Sequence, residues 1–311
     1  MLAILGACAS IPPSTESVAL DVAPPAAQAS DQVRAHLDTA RIEELTGLKG
    51  AFNETENVFK VTSARSDVSV TVDGRTLEPF MGLTSWAAFM PGTKAPCMVM
   101  GDLVLFHDEV NPVMSAALDR GLAVTALHNH FFFDEPKVYF MHIDGEGSVD
   151  ALAGAVRAAF DKVKAIRAAS ARPVAATAAS DVSSKSSITS KPLEEIFGTS
   201  GQAKDGMYKL VIGRTTTASC GCTVGKEMGV NTWAAFAGTD ERAIVDGDFA
   251  VKESELEPVL KALRKAGIDI VAIHSHMTGE NPRVLFLHYW GKGTAHDLAS
   301  GVKSALGVQE K

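Results

Sequence analysis

The chain has 311 residues, a formal net charge of −8 and a hydrophobic fraction of 46%, a length and composition suited to about two globular domains of roughly 150 residues each. An acidic balance offers no basic face to a phosphate backbone, which excludes generic nucleic-acid binding. No apolar run reaches the roughly 18 to 20 residues that a spanning helix needs.

The first segment, residues 1–35, reads as a lipoprotein-signal-like start followed by a disordered tether. The opening MLAILGAC ends in Leu5-Gly6-Ala7-Cys8, the pattern of a lipobox whose cysteine is acylated and becomes the new N-terminus. The stretch from Ala9 to Ser30 is dominated by Ser, Thr, Pro and Ala and resembles a spacer between anchor and domain. A complete secretory signal has a basic n-region and a longer apolar stretch, so Cys8 is read either as a lipidation site or as a terminal thiol. The other cysteines, Cys97, Cys220 and Cys222, are too few for a disulfide framework. Cys220-Gly221-Cys222 is read as small residues in a strand or loop, the alternative being a soft-metal or redox pair.

Beyond residue 35 the chain is a tandem duplication. Trp86-Ala87-Ala88-Phe89 recurs as Trp233-Ala234-Ala235-Phe236, and the string from Gly101 to His130 recurs from Gly247 to His276. The repeats are placed at 36–164 and 191–308, joined by an Ala/Ser-rich linker over 165–190.

Within the first copy, Val58 to Val61 and Val68 to Val72 alternate as half-buried strands, and Asp73-Gly74 marks a hairpin. Two further strands, Trp86 to Met90 and Cys97 to Leu105, flank a Pro/Gly turn. A helix capped by Asp108 follows, with Pro112 in its first turn and Gly121 at its stop. Ser254 and Glu257 form a capping box at the matching place, with Pro258 and Gly267 in the corresponding roles. Strands over Leu122–Phe131 and Lys137–Ile143 and a helix over Ser148–Val163 complete the copy. The predicted fold class is α+β, a mostly antiparallel sheet with helices on one face.

Six of the nine histidines obey one pattern: His128-Asn129-His130 followed by His142, and His274-Ser275-His276 followed by His288. Residues i and i+2 of a strand share a face, and a turn centred near Glu135 sets His142 directly opposite His128. Three imidazoles then converge in each repeat, a geometry that zinc, copper or iron uses with a position left open. A one-residue slip would turn His142 to the other face. The metal-free alternative, half-buried histidines each satisfied by a carbonyl or carboxylate, stands beside it. Asp134 and Glu280 in the matched turns, and Glu109 and Glu255 at the matched helix starts, are the candidate acids for ligation or general base work. Turn and cap chemistry explains each of them as well. Arg65 and Arg214 are candidate clamps for an anionic ligand, an exposed charge being the alternative, and Trp86 and Trp233 are assigned to the cores, substrate stacking being the alternative.

Together, the lipobox-like start, two copies of W-A-A-F, the strings G-D-x6-E-x-x-P and A-[IL]-H-[NS]-H, and P-[KR]-V-x-[FY] with its third His resemble the LppY/LpqO family of bacterial lipoproteins. The resemblance covers nearly all the chain past residue 36. It implies a two-copy, lipid-anchored protein on the extracytoplasmic face of the cell envelope, and it brings no activity, substrate or catalytic set. Ser275 departs from the family's HNH without touching the imidazoles. Three functions are compatible with these residues. The first is a membrane-tethered metal-binding protein. The second is a metal-dependent hydrolase or oxidoreductase, and the third a metal-free structural or ligand-binding module.

Overall fold

The computed structural model describes residues 37–173 and 182–309; the readings made for Cys8 and the tether lie outside them. The first repeat runs α1 (Thr39–Thr46), β1 (Gly50–Asn53), β2 (Val58–Ala64), β3 (Thr71–Val72), β4 (Arg75–Thr76), β5 (Thr84–Pro91), β6 (Cys97–Phe106), α2 (His107–Asp119), β7 (Ala123–His128), β8 (Asp134–Glu135), β9 (Val138–Gly147) and α3 (Val149–Ala169). The second runs α4 (Ser190–Phe197), β10 (Gln202–Lys204), β11 (Met207–Gly213), β12 (Thr216–Thr217), β13 (Thr223–Val224), β14 (Asn231–Gly238), β15 (Ala243–Lys252), α5 (Leu256–Lys265), β16 (Asp269–His274), β17 (Val284–Gly293) and α6 (Ala295–Gly307). One-turn 3-10 segments at Pro79–Met81 and Lys226–Met228 precede β5 and β14.

The α+β expectation holds, in one antiparallel sheet of 12 strands ordered β1-β2-β5-β6-β9-β7-β16-β17-β15-β14-β11-β10. The repeats are therefore not two separate domains. β7 and β16 meet at the centre, where Ile273 pairs with Leu127, its own counterpart. Asn111 of α2 reinforces the seam, donating to the Ile270 carbonyl at 3.1 Å and accepting from the Ile270 N–H at 2.8 Å. Each repeat leaves β7 or β16 with an unpaired edge, and pairing the two edges removes that liability.

Strand alternation decides which face is core. In β9, Met141 and Ile143 point into a single apolar cluster shared by the helices of both repeats, while Val138 and Phe140 point the opposite way. That second face carries only small apolar clusters, one around Phe106 and Phe140 and one around Phe286. The rest of it is open, and the polar residues of interest stand there.

The Asp73-Gly74 hairpin forms as read, pairing Val72 with Arg75. Both helix stops do too: Gly121 and Gly267 have φ of +83° and +73°, a region that favours glycine. The helix starts need correction. α2 begins at His107 rather than after an Asp108 cap, and Pro112 lies inside it, beyond the first turn. Glu109 does the capping, its carboxylate accepting the Phe106 N–H at 2.8 Å. Glu255 accepts the Lys252 N–H at 2.9 Å in the same way, so the capping acid of the second repeat is Glu255 and not Glu257. The expected linker also shrinks: α3 extends to Ala169, and the Ser187 N–H donates to the Gly238 carbonyl at 2.7 Å, binding the segment to the second repeat.

Candidate metal centre

Cross-strand register builds the site from the open face. Trp86 pairs with Asp102, and Asp102 with His142; in the second repeat Trp233 pairs with Asp248, and Asp248 with His288. Residues directly opposite in an antiparallel sheet share a face, so each repeat presents a row of Trp, Asp and His across three neighbouring strands.

The hairpin register differs from the expected one by two residues. His128 faces Phe140 and His142 faces Ala126; His274 faces Phe286 and His288 faces Ala272. Irregularities between Val124 and Ala126, and between Ile270 and Ala272, accompany the shift. An even displacement preserves the face, so the imidazoles still meet, along a diagonal rather than straight across. The strands end at His128 and His274, so His130 and His276 are not strand residues. Each is positioned instead by stacking on a phenylalanine, His130 on Phe140 and His276 on Phe286, both at 3.5 Å between centroids.

The convergence is close. His142 Nε2 lies 3.1 Å from His128 Nε2, and His274 Nε2 lies 3.2 Å from His276 Nε2. The His288 ring stacks on His274 with centroids 4.5 Å apart. Asp248 Oδ2 is 3.3 Å from His276 Nε2, and Asp248, His274 and His276 offer one ligand atom each within 4.8 Å of one another. Two ligands of a tetrahedral zinc ion, each about 2.0–2.1 Å from the metal, stand roughly 3.3 Å apart. The group can therefore hold a metal ion with little rearrangement.

Polar satisfaction points the same way. Among the described residues Asp102 Oδ1, Asp248 Oδ1 and His274 Nδ1 are buried without a hydrogen-bond partner, an arrangement that folded proteins seldom tolerate without a reason. Burial raises the proton affinity of Asp102 and Asp248 above the ordinary carboxylate value, against the opposing pull of the neighbouring histidines. Burial, with His288 and His276 adding to it, pushes His274 down to about 4. Burial and then His128 lower His130. At neutral pH His274 and His130 are therefore uncharged, the form that ligates a metal.

Asp102 and Asp248 were not among the acids singled out from sequence. The signal was present: both sit in the duplicated string that opens Gly101-Asp102 and Gly247-Asp248, at strand positions rather than turns or caps. The four acids that were singled out are committed to the fold. Glu109, fully buried, accepts from Arg65 at 2.7 and 3.0 Å and pairs with Arg167 at 2.9 Å. Glu255 is held by both terminal nitrogens of Arg214. Asp134 accepts from Lys137 and from the Val138 N–H, both at 2.7 Å, and Glu280 accepts from the Val284 N–H at 3.0 Å. Arg65 and Arg214 thus clamp the chain's own carboxylates, not a ligand. Trp86 and Trp233 also move from their expected place: each is half-buried on the open face, with Lys60 and Lys209 over their rings at 4.1 and 4.0 Å. Cys220 and Cys222 are exposed in the loop between β12 and β13, as small loop residues.

The chain belongs to the family described as Domain of Unknown Function (DUF1259), whose model matches residues 40–162 and 191–308. No curated protein matches it. Among solved structures it is similar to a trimeric bacterial microcompartment shell protein, PduB, at 12% identity and a TM-score of 0.22, covering 83% of this chain and 89% of that one. It is also similar to the double-ringed trimeric shell protein MSM0271 of the RMM microcompartment, at 12% identity and a TM-score of 0.18, covering 80% and 96%.

Proposed function

We propose that this DUF1259 protein is an extracytoplasmic, lipid-anchored binder of transition metal ions, with one centre in each repeat. The observation that carries the reading is the meeting of Asp248, His274 and His276 within 4.8 Å, with buried donor atoms left unpartnered. Asp102, His128, His130 and His142 are the matched residues of the first repeat, where among the described residues His128 and His142 alone come within hydrogen-bond distance, and His288 stacks beside the second group. Two or three imidazoles with one carboxylate suit zinc, iron or copper. The lipobox pattern at Cys8 and the resemblance to the LppY/LpqO lipoproteins support the envelope location. Metal-dependent hydrolysis or oxidation is the second reading, favoured by a cavity of about 760 Å³ that opens on Asp248 and His276 and leaves room for a substrate.

Elemental analysis of tag-free protein purified without chelator tests the proposal. The expected result is stoichiometric metal, falling by about one equivalent in a variant carrying Asp248→Ala, His274→Ala and His276→Ala. Absence of metal after incubation with zinc, copper and iron salts would overturn it. Turnover on an ester, phosphate and amide panel, abolished by the same substitutions, would move the assignment to the second reading.

A further inference from the structure

The cavity beside the second centre is lined by Lys209, Lys226, Asn231, Trp233, Asp248 and His276, among others. Lys209 extends over the face of Trp233, and among the described residues it has no carboxylate within ion-pairing distance. Lys226 meets only Glu227, at 3.7 Å on the exposed rim. The opening thus carries two lysines against two carboxylates, Glu227 and Asp248, in a chain of net charge −8. The arrangement is also repeated: Lys60 covers Trp86 as Lys209 covers Trp233, and Trp86 adjoins Asp102 as Trp233 adjoins Asp248. Packing alone does not call for a lysine over an open tryptophan at both matched positions, since an apolar side chain would cover the ring as well.

The floor of the cavity is Asp248, whose negative charge opposes an anion until a divalent cation offsets it. With a metal in place the local charge is reversed, because one carboxylate leaves a divalent ion net positive. We infer that the loaded second centre binds a small organic anion, such as a phosphonate, phosphate or carboxylate. Its charged group draws the Lys209 ammonium off the Trp233 ring to lie between it and the metal, and its apolar part takes the place of the lysine on the indole. Lysine acts here as a mobile point charge and the indole as a stacking platform. This inference rests on the metal-binding reading above and names the ligand class for the same site.

The test uses the full chain, zinc-loaded and freed of excess metal, titrated with phenylphosphonate and, as a neutral control, benzamide. Heat of binding and tryptophan fluorescence are followed, and metal content is measured on every sample. The expected result is saturable phenylphosphonate binding with no response to benzamide. Lys209→Met, at an exposed strand position, weakens the second site about tenfold or more while leaving the zinc content unchanged. A chain that holds zinc but ignores the probe, or binds it equally well as K209M, overturns the inference and leaves the metal reading standing. A chain that takes up no metal overturns both, because the unneutralised Asp248 then repels the anion.

Discussion

The two repeats present the same row of lysine, tryptophan, aspartate and histidine on the same strands, and surround it differently. Around the first centre the chain exposes Phe132 and Phe133, with Phe80 and Met81 on the turn before β5. The matched positions of the second repeat are Thr278, Gly279, Glu227 and Met228. The imidazole pair in hydrogen-bond contact also changes, from His128 with His142 to His274 with His276. The sheet register holds the row itself in place, whereas the rim is tied down through its backbone, the Phe132 and Phe133 carbonyls accepting from Lys137 and the Asp73 N–H, and its side chains are free to differ. A duplicated scaffold thus keeps one chemistry and offers two different entrances to it.

The sharpest way to break that comparison is at the buried ion pairs behind the rows. Glu109→Ala takes the buried carboxylate from Arg65, which is only 5% exposed and keeps Asp67, and from Arg167, which keeps Asp108, and is expected to cost about 3 kcal/mol in urea unfolding. Glu255→Ala leaves Arg214, at 16% exposure, with the Ala250 carbonyl but no second carboxylate among the described residues, and is expected to cost a comparable amount. Equal losses would show that the repeats are buttressed alike. Metal content should survive both substitutions, provided the measurement is made well below the unfolding midpoint; loss of metal from folded E109A would return Glu109 to the centre.

Next in size is the packing beneath the aspartates. A Cβ at Gly247 would stand 2.1 Å from the Tyr289 ring, whose hydroxyl donates to the Trp233 carbonyl at 2.9 Å, and 2.5 Å from that carbonyl, while at Gly101 it would meet Ile143 and the Trp86 carbonyl, each at 2.8 Å. Gly247→Ala is therefore expected to destabilise by about 1–3 kcal/mol and Gly101→Ala by less, as thermal melts would report. Asp102→Asn and Asp248→Asn sharpen the comparison at the centres. Each should lower metal affinity of its own repeat by about 10- to 100-fold in chelator competition, leaving the other repeat untouched. At the rim, Phe132→Ser and Phe133→Ser should change stability by no more than about 0.5 kcal/mol, since neither ring is buried.

A separate test is the effect of pH on the chelated protein. His274 is held at about 4 against an ordinary 6.5, so between those values the unfolded chain takes up a proton that the folded chain refuses. Its contribution to stability is complete above pH 6.5 and is lost as the pH falls towards 4. The urea midpoint should drop through that window, and His274→Gln should flatten the drop.

Much of this was legible in the residues. The duplication, the strand and helix order and the six histidines followed from identity, periodicity and spacing. What escaped was whatever depends on pairing across strands. The turn at Asp134 fixes the face of His142 by parity, yet its centre, and with it the two-residue shift, is set by β8 pairing with β3 through Thr71 and Glu135, contacts distant in sequence. Asp102 and Asp248 look like ordinary strand residues until Trp86 and His142 arrive on either side. Trp86 and Trp233 were assigned to the core because large aromatics usually go there, whereas alternation with Ala87 and Ala234 turns them outward.

The central seam has a consequence for how the molecule assembles. Leu127 lies against its own counterpart Ile273, as equivalent residues do on the axis of a homodimer. Here both halves are on one polypeptide, so the partner is always present and their union does not depend on protein concentration. A true homodimer must accept every substitution on both sides of its axis at once. This chain does not: Asn111 bridges the seam while its counterpart Glu257 pairs with Lys261 along its own helix. Freed from strict symmetry, one half can change its surface while the other continues to hold the sheet closed.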